Sequence, residues 1–160
     1  MYLDEETDLI QNAREELKRT DHLIFVSLKY TRTVDVLKNI IERMINAIEF
    51  GVEALLKHAI DHKRLKDMPP SHKEKISKAL ELYSSDEKII KFMDLYQMLR
   101  KIRRAKYQKR EEFRRHVTMI ANLDDGTVFE VDMDKIREFN DQTIDFINYI
   151  EQMTKDKEEE

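Results

Sequence analysis

Apolar residues recur at steps of three, four and seven along most of this chain, a spacing that predicts long amphipathic helices. Ile10, Ala13, Leu17, Ile24 and Leu28 mark a first helix from about Asp4 to Tyr30. Within it, Leu23-Ile24-Phe25-Val26 is apolar on nearly every side, so the C-terminal half is expected to be the more deeply buried. Thr31-Arg32-Thr33 reads as a turn. Thr33 is placed to cap the next helix, and Asp35 suits the free amides of its first turn. That second helix carries Leu37, Ile41, Met44, Ile48, Val52, Leu55 and Ala59. It should run to about Arg64, stop before Met68-Pro69-Pro70, and pair antiparallel with the first.

Two capping boxes predict two further starts. Ser71 with Glu74 opens a short helix bearing Ile76, Ala79, Leu80 and Tyr83, and Ser84 with Glu87 opens a longer one. The longer helix has Ile89, Phe92, Met93, Tyr96, Leu99 and Ile102 on one side, and its later turns run into a basic stretch. Past His116 the period changes. Val117-Thr118-Met119-Ile120 and Val128-Phe129-Glu130-Val131 flank Asp125-Gly126, which predicts a β-hairpin over about 117–131. Such a hairpin is marginal alone and must lie on the helices or pair with another chain. Asp132 or Asp134 caps a last helix with the stripe Ile136, Phe139, Thr143, Ile147 and Ile150, and the charged tail 155–160 is expected to fray. The fold expected is mainly α: one domain over 1–160, a bundle of about five helices with a short hairpin before the last.

Composition agrees with this. Two glycines and two prolines in 160 residues leave few places to turn. Gly51 falls inside the second helix, where it costs ~1 kcal/mol relative to Ala and marks a close approach or a kink. The absence of cysteine excludes disulfides, thiol catalysis and zinc–thiolate sites. With no long apolar run and no signal-peptide pattern, a cytoplasmic setting without membrane contact is the expectation. Charged residues reach 39% against the ~25% usual for globular chains, a tendency shared with hyperthermophile proteins.

Charge distribution changes the picture more than charge content does. The segment Arg100 to His116, RKIRRAKYQKREEFRRH, holds nine Lys or Arg and two acids; its +7 sits within a total of −4, so the remainder sums to −11. Read as helix, Arg103, Lys106, Arg110 and Arg114 form a stripe. The candidate binding residues are Arg103, Arg104, Lys106, Lys109, Arg110, Arg114, Arg115 and His116. Three readings stand. The stretch is a solvated, ion-paired face, or it docks an acidic protein such as a second copy of the chain. Alternatively it neutralises nucleic-acid phosphates, with Tyr107 or Phe113 stacking on a base. A pI near 5.8 argues against the last reading. Four tyrosines, Tyr30, Tyr83, Tyr96 and Tyr107, suit an interface edge.

Catalytic motifs are scarce. His58 and His62 stand four apart on one helical face, half of a metal site, but no Glu-x-x-His accompanies them. Gly51 and Gly126 are isolated, so phosphate loops are absent, and no Gly-x-Ser-x-Gly occurs. Glu112 and His116 are i,i+4 neighbours in a chain where such coincidences are common. No cofactor and no metal are expected.

The long first helix, its antiparallel partner rich in Ile, Ala and Leu, and the shorter pair that follows resemble the HEPN superfamily over roughly residues 8–115. That resemblance implies a compact helical bundle, often dimeric, of the kind found with nucleotidyltransferases in toxin–antitoxin pairs and as RNases. The active branch carries Arg-x4-His. Here the residues five before each histidine are Leu17, Glu53, Lys57, Asp67 and Glu111, and Arg110 is one position too far from His116. The expected role is therefore a non-catalytic binding or assembly module. It would be a degenerate HEPN-like homodimer that takes nucleic acid or an acidic partner on the basic segment. The alternative is a metal-independent ribonuclease of the toxin type.

Overall fold

The computed structural model describes residues 2–156, with side chains over 8–155. Among these residues five helical rods and one three-stranded antiparallel sheet account for nearly all regular structure. The first rod is α1 (Tyr2–His22), a π-helical turn (Leu23–Ser27) and the short α2 (Leu28–Tyr30). Then come α3 (Val34–Asp61), α4 (His72–Leu82), α5 (Glu87–Arg104), β1 (Lys106–Arg110), β2 (Thr118–Asn122), β3 (Val128–Val131) and α6 (Met133–Asp156). The mainly α bundle with a hairpin before the last helix is thus the fold observed. Residues 157–160 of the expected fraying tail lie outside those described.

The core is built around α3, which packs against α1, α4, α5, α6 and β2. Its whole predicted stripe, from Leu37 through Ala59, is buried. Gly51 explains how α6 fits. A methyl group built there would lie 2.7 Å from Phe146 Cε2 and 2.8 Å from Ile147 Cδ1, so the absent side chain is what admits α6 to contact. Thr33 caps α3 by accepting from the Val36 N–H, and Ser71 caps α4 by accepting from the Glu74 N–H, both as expected.

Four expectations require correction. The end of the first rod is not its most buried part: Phe25 is 63% exposed, Val26 41% and Tyr30 78%. Four consecutive apolar residues cannot share one stripe. The π turn, closed by the Leu28 N–H donating to the Leu23 carbonyl, buries Ile24 and Leu28 and turns Phe25 and Val26 outward. The cap of α5 is Asp86 rather than Ser84, its Oδ1 accepting from the amides of Lys88 and Ile89 at 3.0 and 3.2 Å. Tyr96 and Tyr83 are buried rather than at an edge.

The fourth correction concerns the basic stretch. Its helix ends at Arg104, and Lys106–Arg110 leaves it as a strand, so Arg103, Lys106, Arg110 and Arg114 form no helical stripe. β1 pairs with β2 in the register Lys106 to Asn122 through Arg110 to Thr118, and β2 pairs with β3 from Met119 opposite Val131 to Asn122 opposite Val128. The predicted hairpin therefore gains a third strand. Its turn is as read: Gly126 takes φ +86°, and Asp125 accepts from the Thr127 N–H at 2.9 Å. One face of the sheet turns Met119, Ala121 and Val131 into the core and stacks Phe129 against Phe139. Lys106, Gln108, Arg110 and Glu130 occupy the other face, by the alternation of the pleat.

Candidate anion-binding cleft at the basic turn

The eight basic-segment residues named from the sequence do not share one surface. Arg103, in the last turn of α5, pairs with Glu42 at 3.3 Å, and Arg104 pairs with Asp124 at 3.3 Å. On β1, Lys109 lies 3.8 Å from Asp35 and 3.5 Å from Glu112, and Asp35 chiefly raises its pKa. Arg110 donates to Glu130 at 2.6 Å, a bond that raises the guanidinium's pKa and lowers that of the carboxyl. All of these pairs are solvent-accessible and worth little in stability. Among the described residues, Lys106, Arg114, Arg115 and His116 pair with no carboxylate.

The last three of those four sit on the connection from β1 to β2, and its shape is set by specific bonds. Glu111 and Phe113 adopt left-handed backbone, with φ of +54° and +65°. For non-glycine residues such conformations persist only where surrounding contacts impose them. Those contacts are visible here. The Phe113 N–H donates to the Arg32 carbonyl at 2.6 Å, and the Val34 N–H donates to Glu112 Oε2 at 2.9 Å. The carboxylate thus satisfies a free amide of α3 and suits the positive end of its dipole. The turn is thereby clipped to the junction of the first two rods, with the Phe113 ring 75% exposed.

Clipping the turn there creates a cleft of about 270 Å³ lined by Arg32, Arg115, His116 and Arg137 with Asp132 and Asp134. Each acid has work of its own. Asp132 accepts from the Lys135 N–H at 2.8 Å, capping α6, and Asp134 lies 3.6 Å from Arg137. Arg32 and Arg115 pair with no carboxylate among the described residues. Moreover, the Arg32 Nε is buried and has no hydrogen-bond acceptor. An orphaned buried donor of this kind costs about 1–3 kcal/mol until an acceptor arrives.

The cleft joins two residues read from the sequence, Arg115 and His116, to two that were missed, Arg32 and Arg137. Arg32 sits alone in a three-residue turn and Arg137 in an ordinary first turn of helix; no local pattern marks either one. Other candidate chemistry does not assemble. Glu112 is engaged by the α3 amide and Lys109, and His116 accepts through its carbonyl from the Thr118 hydroxyl at 2.8 Å while its ring bonds to none of the described residues. His58 and His62 meet edge to face with ring centroids 4.1 Å apart, and His58 is buried. Among the described residues no three His, Cys, Asp or Glu side chains are grouped to hold a metal ion, and no helix is long and apolar enough to cross a membrane.

No family model, no curated protein and no solved structure matches the chain.

Proposed function

We propose that this protein is a non-catalytic module that binds single-stranded nucleic acid at the turn 111–116 and the cleft beneath it. The observation that carries the reading is that Arg32 and Arg115, which pair with no carboxylate among the described residues, line one cleft while the turn that bears Arg114 and the exposed Phe113 is bonded to Arg32 through the Phe113 amide. Cations along a backbone path beside an exposed aromatic ring are the two components of strand binding without base readout. Lys106, on the outer face of the sheet, is a further cation that pairs with no carboxylate among the described residues. An acidic protein would meet the same cations, but it would not need the ring.

Fluorescence anisotropy with a short uridine-rich strand tests this. For three phosphate contacts, log affinity should fall against log salt with a slope of roughly −2. Arg114→Glu with Arg115→Glu should abolish binding, while Arg103→Glu, at a paired position, should weaken it only slightly. Phe113→Leu should cost about 1–3 kcal/mol if the ring stacks on a base. Loss with Arg114 and Arg115 but not with Phe113 would point to an acidic protein instead, and no binding at low salt would overturn the reading.

A second reading concerns assembly. Phe25, Val26 and Tyr30 place exposed apolar surface around the π turn, which favours a homodimer of the HEPN-like type in a cytoplasmic setting. Light scattering at micromolar concentration should give twice the 19.3 kDa chain mass, and Phe25→Ser should restore the single mass. A single mass for the unaltered protein would remove this reading. The rival enzyme, a metal-independent ribonuclease, needs a reactive partner for His116. Any activity that His116→Ala eliminates would revive it.

A further inference from the structure

We infer that the Arg32–Arg115–His116–Arg137 cleft receives a phosphomonoester, the terminal phosphate of the bound strand. The inference rests on the strand-binding reading and goes beyond it, because a strand can be held by its internal phosphates alone.

Three features argue for an end rather than a passing backbone. First, the donors come from three separate parts of the fold: the junction before α3, the turn after β1, and the first turns of α6. Groups converging from different directions surround a ligand, whereas a path for a continuing backbone runs past its donors in a line. Second, the charge favours an end. A monoester carries about −1.5 to −2 at neutral pH, where a diester carries a single negative charge. With Asp134 offset by Arg137 and Asp132 counted against Arg32 and Arg115, the cleft stays net positive and attracts the more highly charged end more strongly. Third, no hydrogen bond ties the Arg32 guanidinium to the protein among the described residues. A monoester presents three terminal oxygens and so can bond the outer nitrogens of Arg32 and of Arg115 together, in the forked geometry that guanidinium groups favour. Arg137 offsets Asp134 at 3.6 Å, while Asp132 caps α6 through the neutral Lys135 amide and keeps its negative charge, so the cleft is left with one positive charge in excess.

The same chemistry could be met by a free mononucleotide or by inorganic phosphate, and the test separates these sources. Anisotropy would compare one labelled strand carrying a 5′-phosphate, a 3′-phosphate or hydroxyls at both ends, with the label always attached internally. One phosphorylated form should bind about tenfold tighter than the hydroxyl form, the size of a single charge-assisted hydrogen bond. That increment should vanish in Arg32→Gln and in Arg115→Gln, so that each variant binds the phosphorylated and the hydroxyl strands equally, whatever affinity for the hydroxyl strand it keeps. Circular dichroism of both variants confirms that the fold is retained. Equal affinity for all three strands would overturn the inference and leave the strand-binding reading intact. Failure of every strand to bind would overturn that reading. In that event, calorimetry with adenosine monophosphate and with inorganic phosphate decides whether the cleft takes a free phosphate; no heat with either, or heat unchanged in Arg115→Gln, overturns the inference as well.

Discussion

Single side chains decide much of this molecule, and two tyrosine hydroxyls show how. The Tyr149 hydroxyl donates to Asp86 Oδ2 at 2.6 Å, and Tyr96 donates to Glu49 Oε2 at 2.7 Å. The bond to Asp86, reinforced by burial, pushes the Tyr149 pKa from 10.0 up to about 12, and burial with the Glu49 bond raises Tyr96 in the same direction. A folded-state pKa above the unfolded one means the folded form holds its proton more tightly. The stabilisation is therefore complete below about pH 10 and is lost as the pH climbs toward about 12. Denaturant titrations across that window should show Tyr149→Phe losing stability less steeply than the unaltered protein, and parallel curves would contradict the assignment. Asp86 thus serves two purposes, capping α5 and anchoring α6 through Tyr149. Only a cap was legible in the sequence, and it was placed at Ser84: the Ser-x-x-Glu spacing is a local signal, and a contact with a residue 63 positions away is not.

At the scale of elements, α1, α3 and α6 bury enough apolar surface for their period to be read directly, and so they were. β1 was not. Lys-Tyr-Gln-Lys-Arg offers a single apolar residue, Tyr107, and no alternation, because it is an edge strand covered on neither side along most of its length. Charged residues protect such edges from pairing with other chains, and a charged edge strand reads like a charged helical face. Pairing with β2 settles the matter, and that is a tertiary fact. The π turn escaped for a related reason, since four apolar residues in a row announce burial without saying which two of them obtain it. The crossing of α3 and α6 yields a sharper expectation. Gly51→Ala gains up to ~1 kcal/mol in helix preference. Against that, it drives a methyl group to 2.7 Å from the ring of Phe146, itself fully buried and 5.1 Å from Phe92 between ring centroids. Overpacking of this sort costs about 1–3 kcal/mol, so a net loss of roughly 1 kcal/mol and a lower melting temperature are expected. An unchanged or raised melting temperature would mean that α6 gives way freely there.

Across the whole molecule, the segregated charge proves to be organised by sheet and turn rather than by a helix. Half of the cations first grouped together, Arg103, Arg104, Lys109 and Arg110, are engaged with carboxylates. What remains is smaller and more specific: Lys106 on the sheet, Arg114 on the turn, and Arg115 and His116, which a strained turn fastened by Glu112 and the Phe113 amide brings to Arg32 and Arg137. The site is thus made from three distant parts of the chain, which is why a linear reading found its basic half and missed the arginines opposite. Amide correlation spectra recorded while a short uridine-rich strand is added test this directly, because they report each position at once. The account predicts shifts concentrated at Arg32, at Phe113 to His116 and at the start of α6, all reversed by added salt. Shifts confined to other surfaces, such as α4 or the far end of α3, would contradict it, as would no shifts at all.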